Sequence, residues 1–414
     1  MSEKPIVYLF WFAHEHLDFR RAEINSILEM YNINIQINAQ KDYPYWLVTA
    51  TSEDAIKKVA NRAVSLRFCL ELWASSEKLQ DLHNGLRLYP LEKIRKHITK
   101  DKSFKVSIET FCKHFSQAEK IKKIESFSYL PLEGPVKLKN PDTTLCYIEF
   151  YGLKPNNIPD EPYMYFFGRL VANGQRELIQ KLSLKNRNFI GNTSMDAQLS
   201  IIMANQANVK SSDLVLDPFV GSGSLLVAAA YFGGYTLGTD IDFLMLHGRT
   251  RPTRITQKVR GKDDSIIANM NQYELTSYHL DVLVSDFSRP MWHSNFRVDA
   301  IITDPPYGIR ESTERIGTTK KNLIVDAKQM SVHIPSKINY ELPQIFKDLL
   351  IFSARHLKLN GRLVCWFPFF RDQYSEDQLP SHPCLQILAN CEQTLSNYTS
   401  RRLLTYVKIK EPEV

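Results

Sequence analysis

The run of apolar and polar positions divides this chain into two parts. Residues 5–12 are almost all apolar and read as a strand. Residues 19–31 carry apolar side chains at helical spacing. Residues 45–50 form a second strand; Ser52, with Glu53 and Asp54 behind it, opens a helix through Val59. Residues 63–73 are strand-like, and further strands fit residues 104–111, 145–151 and 163–172. Strands and helices alternating at this scale predict a small α+β layer.

From residue 197 onward the apolar runs are shorter and end on carboxylates. A helix covers residues 197–205. Residues 214–216 lead as a strand into Asp217-Pro218-Phe219-Val220-Gly221-Ser222-Gly223-Ser224, and an apolar helix follows. Strands at 234–242, 280–285 and 299–303 end in acids, the first in Asp240 and Asp242, the others at Asp286 and Asp304. A helix at 342–353 tolerates Pro343 in its first turn. Strands at 361–368, 385–388 and 402–409 complete an open α/β sheet. Residues 309–321 read as a polar, mobile loop.

In open α/β sheets ligands bind beyond the carboxyl ends of the strands, which is where these acids fall. Pro305 and Pro306 cannot donate to a ladder and stop the fourth strand. They fix Asp304, the Pro305 carbonyl and the Tyr307 ring in a small triangle. Two acceptors and an aromatic face suit an exocyclic amino group on a flat base. Gly221 and Gly223 permit positive φ and close approach of a ligand to the backbone. Ser222 or Ser224 can cap the helix behind them, turning its amides toward the pocket. Position 226 is Leu, so the turn is not the dinucleotide motif, and no Gly-Lys-Ser/Thr marks a triphosphate site. A carboxylate about 20 residues past a glycine turn commonly takes ribose hydroxyls. Asp240 lies 17 residues past Gly223, with Asp242 the second choice.

The Asp217-Pro218-Phe219 turn followed by Asp304-Pro305-Pro306-Tyr307 resembles the motif pair of amino-group methyltransferases that use S-adenosyl-L-methionine. That resemblance implies a Rossmann-like domain. In it Asp217, Phe219, Gly221 and Gly223 hold the methionine portion and Asp240 the ribose. Asp286 meets the adenine amino group, and Phe287 meets the adenine face. Asp304, Pro305 and Tyr307 are then catalytic. The segment ahead of the first motif closes over the cofactor in this family, with Thr193 and Asp196 as candidates. Residues 189–196, 238–242 and 304–312 further resemble the catalytic subunit of the eukaryotic tRNA guanosine-10 N2-methyltransferase family. The first half resembles a ferredoxin-like piece followed by a THUMP RNA-binding module. The expected domains are therefore an RNA-binding region at 1–175, a basic linker at 176–192 and the methyltransferase domain at 193–410.

Charge supports this division. Residues 1–190 hold 28 Lys+Arg against 22 Asp+Glu, whereas residues 191–414 hold 24 against 23. The basic first half suits a polyanion. Lys93, Arg95, Lys96 and Lys100 are its clearest cluster, and Lys mixed with aromatic residues continues through 113–139. Arg251 and Arg254, in a basic insertion that also has Arg249, Lys258, Arg260 and Lys262, are placed to clamp RNA phosphates. Six scattered cysteines without a Cys-x-x-Cys pair read as reduced core residues of a cytoplasmic protein, with no metal site. The N-terminus lacks a signal-peptide pattern and no apolar stretch is long enough to span a bilayer.

The strand at 280–285 lies at one edge of the sheet in the usual methyltransferase order, with no Lys or Pro to blunt it. The resemblance implies a partner there, a small zinc-binding activator subunit that carries the zinc itself. Two rival functions remain open on the sequence. One is methylation of adenine N6 in DNA or RNA; the other is a non-catalytic RNA-binding scaffold.

Overall fold

The computed structural model describes residues 5–39, 42–254, 257–261, 264–289, 291–308, 311–319 and 335–413. The chain forms two compact units, one of residues 1–17 and 31–176, the other of residues 18–30 and 177–414.

The first unit is built on one sheet of β1 (Ile6–Phe12), β2 (Gln36–Ala39), β3 (Tyr45–Ala50), β4 (Leu66–Ser76), β5 (Phe104–Phe111), β6 (Thr143–Phe150) and β7 (Met164–Asn173). The spatial order is β2-β3-β1-β4-β7-β6-β5. Only β5 and β6 run parallel. One face carries Trp11, Phe68, Phe150 and Phe166; the other buries Trp73, Tyr147 and Phe167 against helices Leu79–Leu88 and Leu91–His97. Both helices, and a third at Gln117–Glu125, escape the sequence pattern, because they bury few side chains (Leu82 and Leu86 in the first, Ile94 in the second, none in the third) and lysines interrupt the last two. A capping box of Ser116 and Glu119 starts the third.

The second unit holds β8 (Leu214–Asp217), β9 (Tyr235–Asp240), β10 (His279–Val284), β11 (Val298–Thr303), β12 (Glu314–Ile316), β13 (Lys337–Asn339), β14 (Leu357–Phe370), β15 (Leu385–Thr394) and β16 (Thr399–Lys408). Seven of them order as β10-β9-β8-β11-β14-β16-β15. The first five are mutually parallel and β16 is antiparallel to β14. The chain reverses its direction of growth between β8 and β11, and ligands sit at such a switch point. β10 occupies the edge that the sequence assigns it.

Three expectations change. The sequence puts residues 18–30 in the first domain, but helix Phe19–Met30 folds with the second unit. There Glu23 accepts from Asn205 (2.7 Å), and Arg362, 2% exposed, pairs with Glu29 at 2.6 Å. Residues 177–192, expected to be a linker, pack into this unit. Arg187 is buried and donates to Ser224 (2.8 Å). The side chain of Asn269 holds both the N–H and the C=O of Phe189 at 2.8 Å, as a neighbouring strand would. The polar loop of 309–321 contains β12, paired antiparallel with β13. Ile309, Arg310, Lys320 and Lys321 lie outside the described residues, as does Lys262 of the basic insertion.

Candidate active site

The ends of β8, β9, β10 and β11 surround a cavity of about 360 Å³. Phe219 follows β8, Asp240 ends β9, Ser285 and Phe287 follow β10, and Asp304 and Pro306 follow β11; all line it. Such a volume lies within the range of small-molecule sites.

The glycine turn shapes one wall. Gly221 has φ +49°, and a Cβ built on it meets nothing within 4 Å, so a ligand can approach its backbone. Its N–H donates to Asp240 Oδ2 (2.8 Å), while Asp242 N–H donates to Oδ1 (2.9 Å). Asp240 is thus locked in place by one N–H on each oxygen. Burial pushes its pKa up. Gly223, at φ +78°, is the N-cap of helix Ser224–Tyr231, which has no side-chain cap. The expected serine caps are absent because each hydroxyl is used elsewhere. Ser222 bonds Ser194, and Ser224 accepts from Arg187.

Asp217 stays out of the cavity. It is 1% exposed, and its Oδ1 accepts from Thr303 Oγ1 (2.7 Å) and from Phe219 N–H (3.1 Å). It joins the turn to β11 from below. Burial, with Asp240 and Asp304 nearby, raises its pKa to about 7 despite those bonds. The folded state therefore binds this proton more tightly than the unfolded state, and stability falls as pH rises toward and through 7. Asp217→Asn keeps the acceptor and removes the charge. The variant should melt higher than the parent at pH 8, keep a clearly smaller advantage at pH 5, and bind cofactor normally. Thermal scans at both pH values with cofactor titration check this; an unchanged pH dependence of melting would refute it.

Asp286 is also committed to the fold. Its carboxylate accepts from Ser288 N–H (2.9 Å) and Ile316 N–H (2.8 Å), pinning β12 beside the sheet end. Phe287 next to it does line the cavity, its ring 4.8 Å from that of Phe219. Asp196 caps helix Ala197–Gln206 through Leu199 N–H (3.0 Å) and is exposed. Thr193 donates to Glu311, which with Asn192 lines the mouth. Neither Thr193 nor Asp196 lines the cavity.

At the far end Pro305 is buried and Pro306 faces the cavity. The Tyr307 hydroxyl donates to Asp304 Oδ1, and Arg401 reaches Oδ2 at 3.3 Å. Burial raises the pKa of Asp304 to about 6; Arg401 and Tyr307 pull the other way. Burial and the neighbouring carboxylate push the Tyr307 phenol well above its usual range. Nothing local in the sequence marks Arg401. Its partner is 97 residues away, across β14.

The basic groups divide by unit. Lys93, Arg95, Lys96 and Lys100 are all exposed, on helix Leu91–His97 and just after it. Arg251 lines the cavity mouth with Arg260. Arg254, expected to clamp phosphate, instead donates to the carbonyls of Leu184 (3.1 Å), Asn188 (3.2 Å) and Arg187. Those unpaired loop carbonyls claim its guanidinium. In the first unit Glu53, Glu71 and His97 come close enough to hold an ion. Arg169 already bonds both glutamates there, 2.7 Å from Glu71, and takes the cation's place.

A parallel sheet in this order, with a glycine turn after one strand and Asp-Pro-Pro-Tyr after another, defines a Rossmann-like S-adenosylmethionine-dependent methyltransferase. Residues 185–324 match the family described as "RMKL-like, methyltransferase domain", and residues 6–176 match the "Tmrp11 THUMP N-terminal domain". The tRNA (guanine(10)-N(2))-methyltransferase TRMT11 of Bos taurus is 48% identical over 98% of this chain and 89% of its own length. Its counterpart in Dictyostelium discoideum is 33% identical over 98% of this chain and 82% of its own length. Among solved structures, TrmN from Thermus thermophilus matches with a TM-score of 0.47 and 15% identity, over 97% of this chain and 100% of its own. The chain belongs to the TRMT11 family of tRNA (guanine(10)-N(2))-methyltransferases.

Proposed function

We propose that this chain methylates the exocyclic N2 of guanosine 10 in tRNA, as the catalytic subunit of a cytoplasmic heterodimer. The observation that carries the reading is Asp304 at the cavity wall, on the same strand-end rim as Asp240 and Phe287. When bound, S-adenosyl-L-methionine supplies a methyl group already activated on a sulfonium. The residues have to hold it and bring the nucleophile into line. Asp240 suits the ribose diol, Phe287 the adenine face, and Phe219 with the open backbone at Gly221 the methionine portion.

Guanine N2 is a poor nucleophile because its lone pair is delocalised into the ring. The Asp304 carboxylate and the Pro305 carbonyl accept its two N–H bonds, favouring a pyramidal nitrogen and stabilising the charge that develops there. Asp304 then takes the proton. Tyr307 provides the stacking face for a base turned out of its helix. Incubating the protein and its partner with labelled cofactor and separate tRNA, mRNA and DNA pools, then analysing nucleosides, tests this. N2-methylguanosine in tRNA is the expected product; N6-methyladenosine in any pool in its place would overturn the reading.

The first unit holds the RNA in this reading, through phosphates and shape. Neutralising Lys93, Arg95, Lys96 and Lys100 together should weaken tRNA binding uniformly across sequences. It should also lower the slope of log affinity against log salt by about 0.9 for each phosphate that is no longer neutralised. An unchanged salt slope would mean that the cluster touches no phosphate.

Among the described residues no helix is long and apolar enough to cross a membrane. The proposed partner is a small zinc-binding activator that pairs with the edge strand β10.

A further inference from the structure

Arg401 has no counterpart in the sequence motifs, yet it is the cation that touches both Asp304 and Tyr307. It stands on β16, the antiparallel strand, 13% exposed at its side chain. Its guanidinium carbon lies 3.9 Å from the centroid of the Trp366 ring, a fully buried indole on β14. Nε donates to Gln393 Oε1 on β15 (2.8 Å). One terminal nitrogen reaches Asp304 Oδ2 (3.3 Å) and the Tyr307 hydroxyl (3.5 Å); the other lies 3.6 Å from Met195 Sδ. Three strands and an aromatic plane therefore aim one nitrogen at Asp304.

This is more restraint than a surface ion pair needs. A planar guanidinium stacked on an indole and anchored at Nε keeps only a small rotational freedom. Its bond to Asp304 holds Oδ2 on one side, while Tyr307 holds Oδ1 on the other. The carboxylate plane is thereby fixed relative to the cavity. Resting on the reading of Asp304 as the group that receives the guanine amino protons, we propose that Arg401 is the positioning residue of this active site. It sets both the orientation and the charge of Asp304, and through Met195 it couples them to the segment 191–195 at the cavity mouth.

The surrounding charges make the need for such a cation concrete. Asp304 faces Tyr307 on its own turn, Glu311 beyond that turn, Asp217 beneath it on β8, Cys365 on β14 and Arg401 on β16; Asp240, on β9, is the next acid along the rim. Among these groups Arg401 is the sole positive charge. Burial and Glu311 push the carboxyl toward its neutral form, which accepts amino protons poorly. Without the guanidinium, Asp304 should stay protonated to higher pH, and its plane should be free to turn.

The test compares Arg401→Met, which keeps length and packing on Trp366, and Arg401→Lys, which keeps the charge, with the parent. All are assayed on tRNA with their partner between pH 5.5 and 9. Melting and cofactor affinity are measured beside them. The Met variant is expected to bind cofactor normally and lose at least 10-fold in kcat at neutral pH. Its acid limb should move up by about one pH unit or more, so that part of the loss is recovered at pH 9. The Lys variant should restore the position of the limb but only part of the rate, because it lacks the fork. A Met variant with the parental profile would overturn the inference. So would a loss of rate equal at every pH and not relieved by Lys, which is what a purely structural arginine would give. If the parent itself made no methylguanosine, the reading of the site would fail instead, and the two failures are distinguishable.

Discussion

Replacing Asp304 with alanine should abolish methyl transfer, by about 10³-fold or more, while cofactor and tRNA affinity stay nearly parental. In the proposed reading the two effects separate because the carboxylate meets the reacting nitrogen and not the parts of either substrate that give affinity. Removing one preorganised acceptor from a developing charge costs about 10²–10³ in rate, and losing the proton acceptor adds to that. The variant also leaves Arg401 without its carboxylate, 13% exposed at its side chain. An unpaired buried polar group costs about 1–3 kcal/mol. A lower melting temperature is therefore expected, and activity has to be compared well below it. Asp304→Asn gives the control. It keeps one acceptor, for Arg401, turns an amide N–H toward the Tyr307 oxygen in place of the other, preserves the shape and cannot take a proton. If Asn recovers stability and not rate, the chemistry lies in the charge. Near-parental turnover by folded Asp304→Ala would remove the carboxylate from the mechanism altogether.

The legible parts of the fold are those in which local pattern and tertiary role agree. Residues 298–303 are buried on both faces, so a continuous apolar run is enough to identify β11 and its end. The edge position of β10 follows from strand order, and its mixed burial agrees with a side that has no neighbour. Helix Phe19–Met30 has the right period, yet period alone does not say which sheet its stripe meets. Long-range partners decide that, here Asn205 and Arg362. For the site, motifs place the cavity-lining residues Phe219, Asp240, Phe287 and Asp304. They do not separate an acid that faces the cavity from one that holds the backbone. Asp217 and Asp286 end strands just as Asp240 and Asp304 do, but their side chains are buried among backbone and hydroxyl donors, and neither lines the cavity. Arg401 is illegible for the opposite reason, since its role exists only across three strands.

The edge strand makes the largest prediction about assembly. β10 bonds to β9 on one side, and among the described residues no strand pairs with the other. Leu280 and Val284 are 54% and 44% exposed. Among the described residues of the basic insertion, Arg254 and Arg260 are turned to carbonyls between 184 and 190 and to residues 250–251. Backbone polarity along β10 can be worked out from two bonds. Ser285 N–H donates to Asp240 C=O on β9 (2.9 Å), whereas Val282 N–H is met only by the neighbouring Asp281 carboxylate (2.8 Å). N–H groups alternate along a strand, so those of Val282 and Val284 point to the open edge. A partner strand would take them, displace Asp281 and cover the two exposed side chains. Val284→Pro removes one of these donors without touching the ladder to β9, and Val282→Lys sets a charge at the seam. Both should prevent co-purification with the activator subunit and leave a chain that aggregates or turns over poorly, while tRNA binding by the first unit persists. The parental chain expressed alone should behave in the same way. A soluble monomer that methylates tRNA at full rate without any partner would show that this edge serves nothing in catalysis.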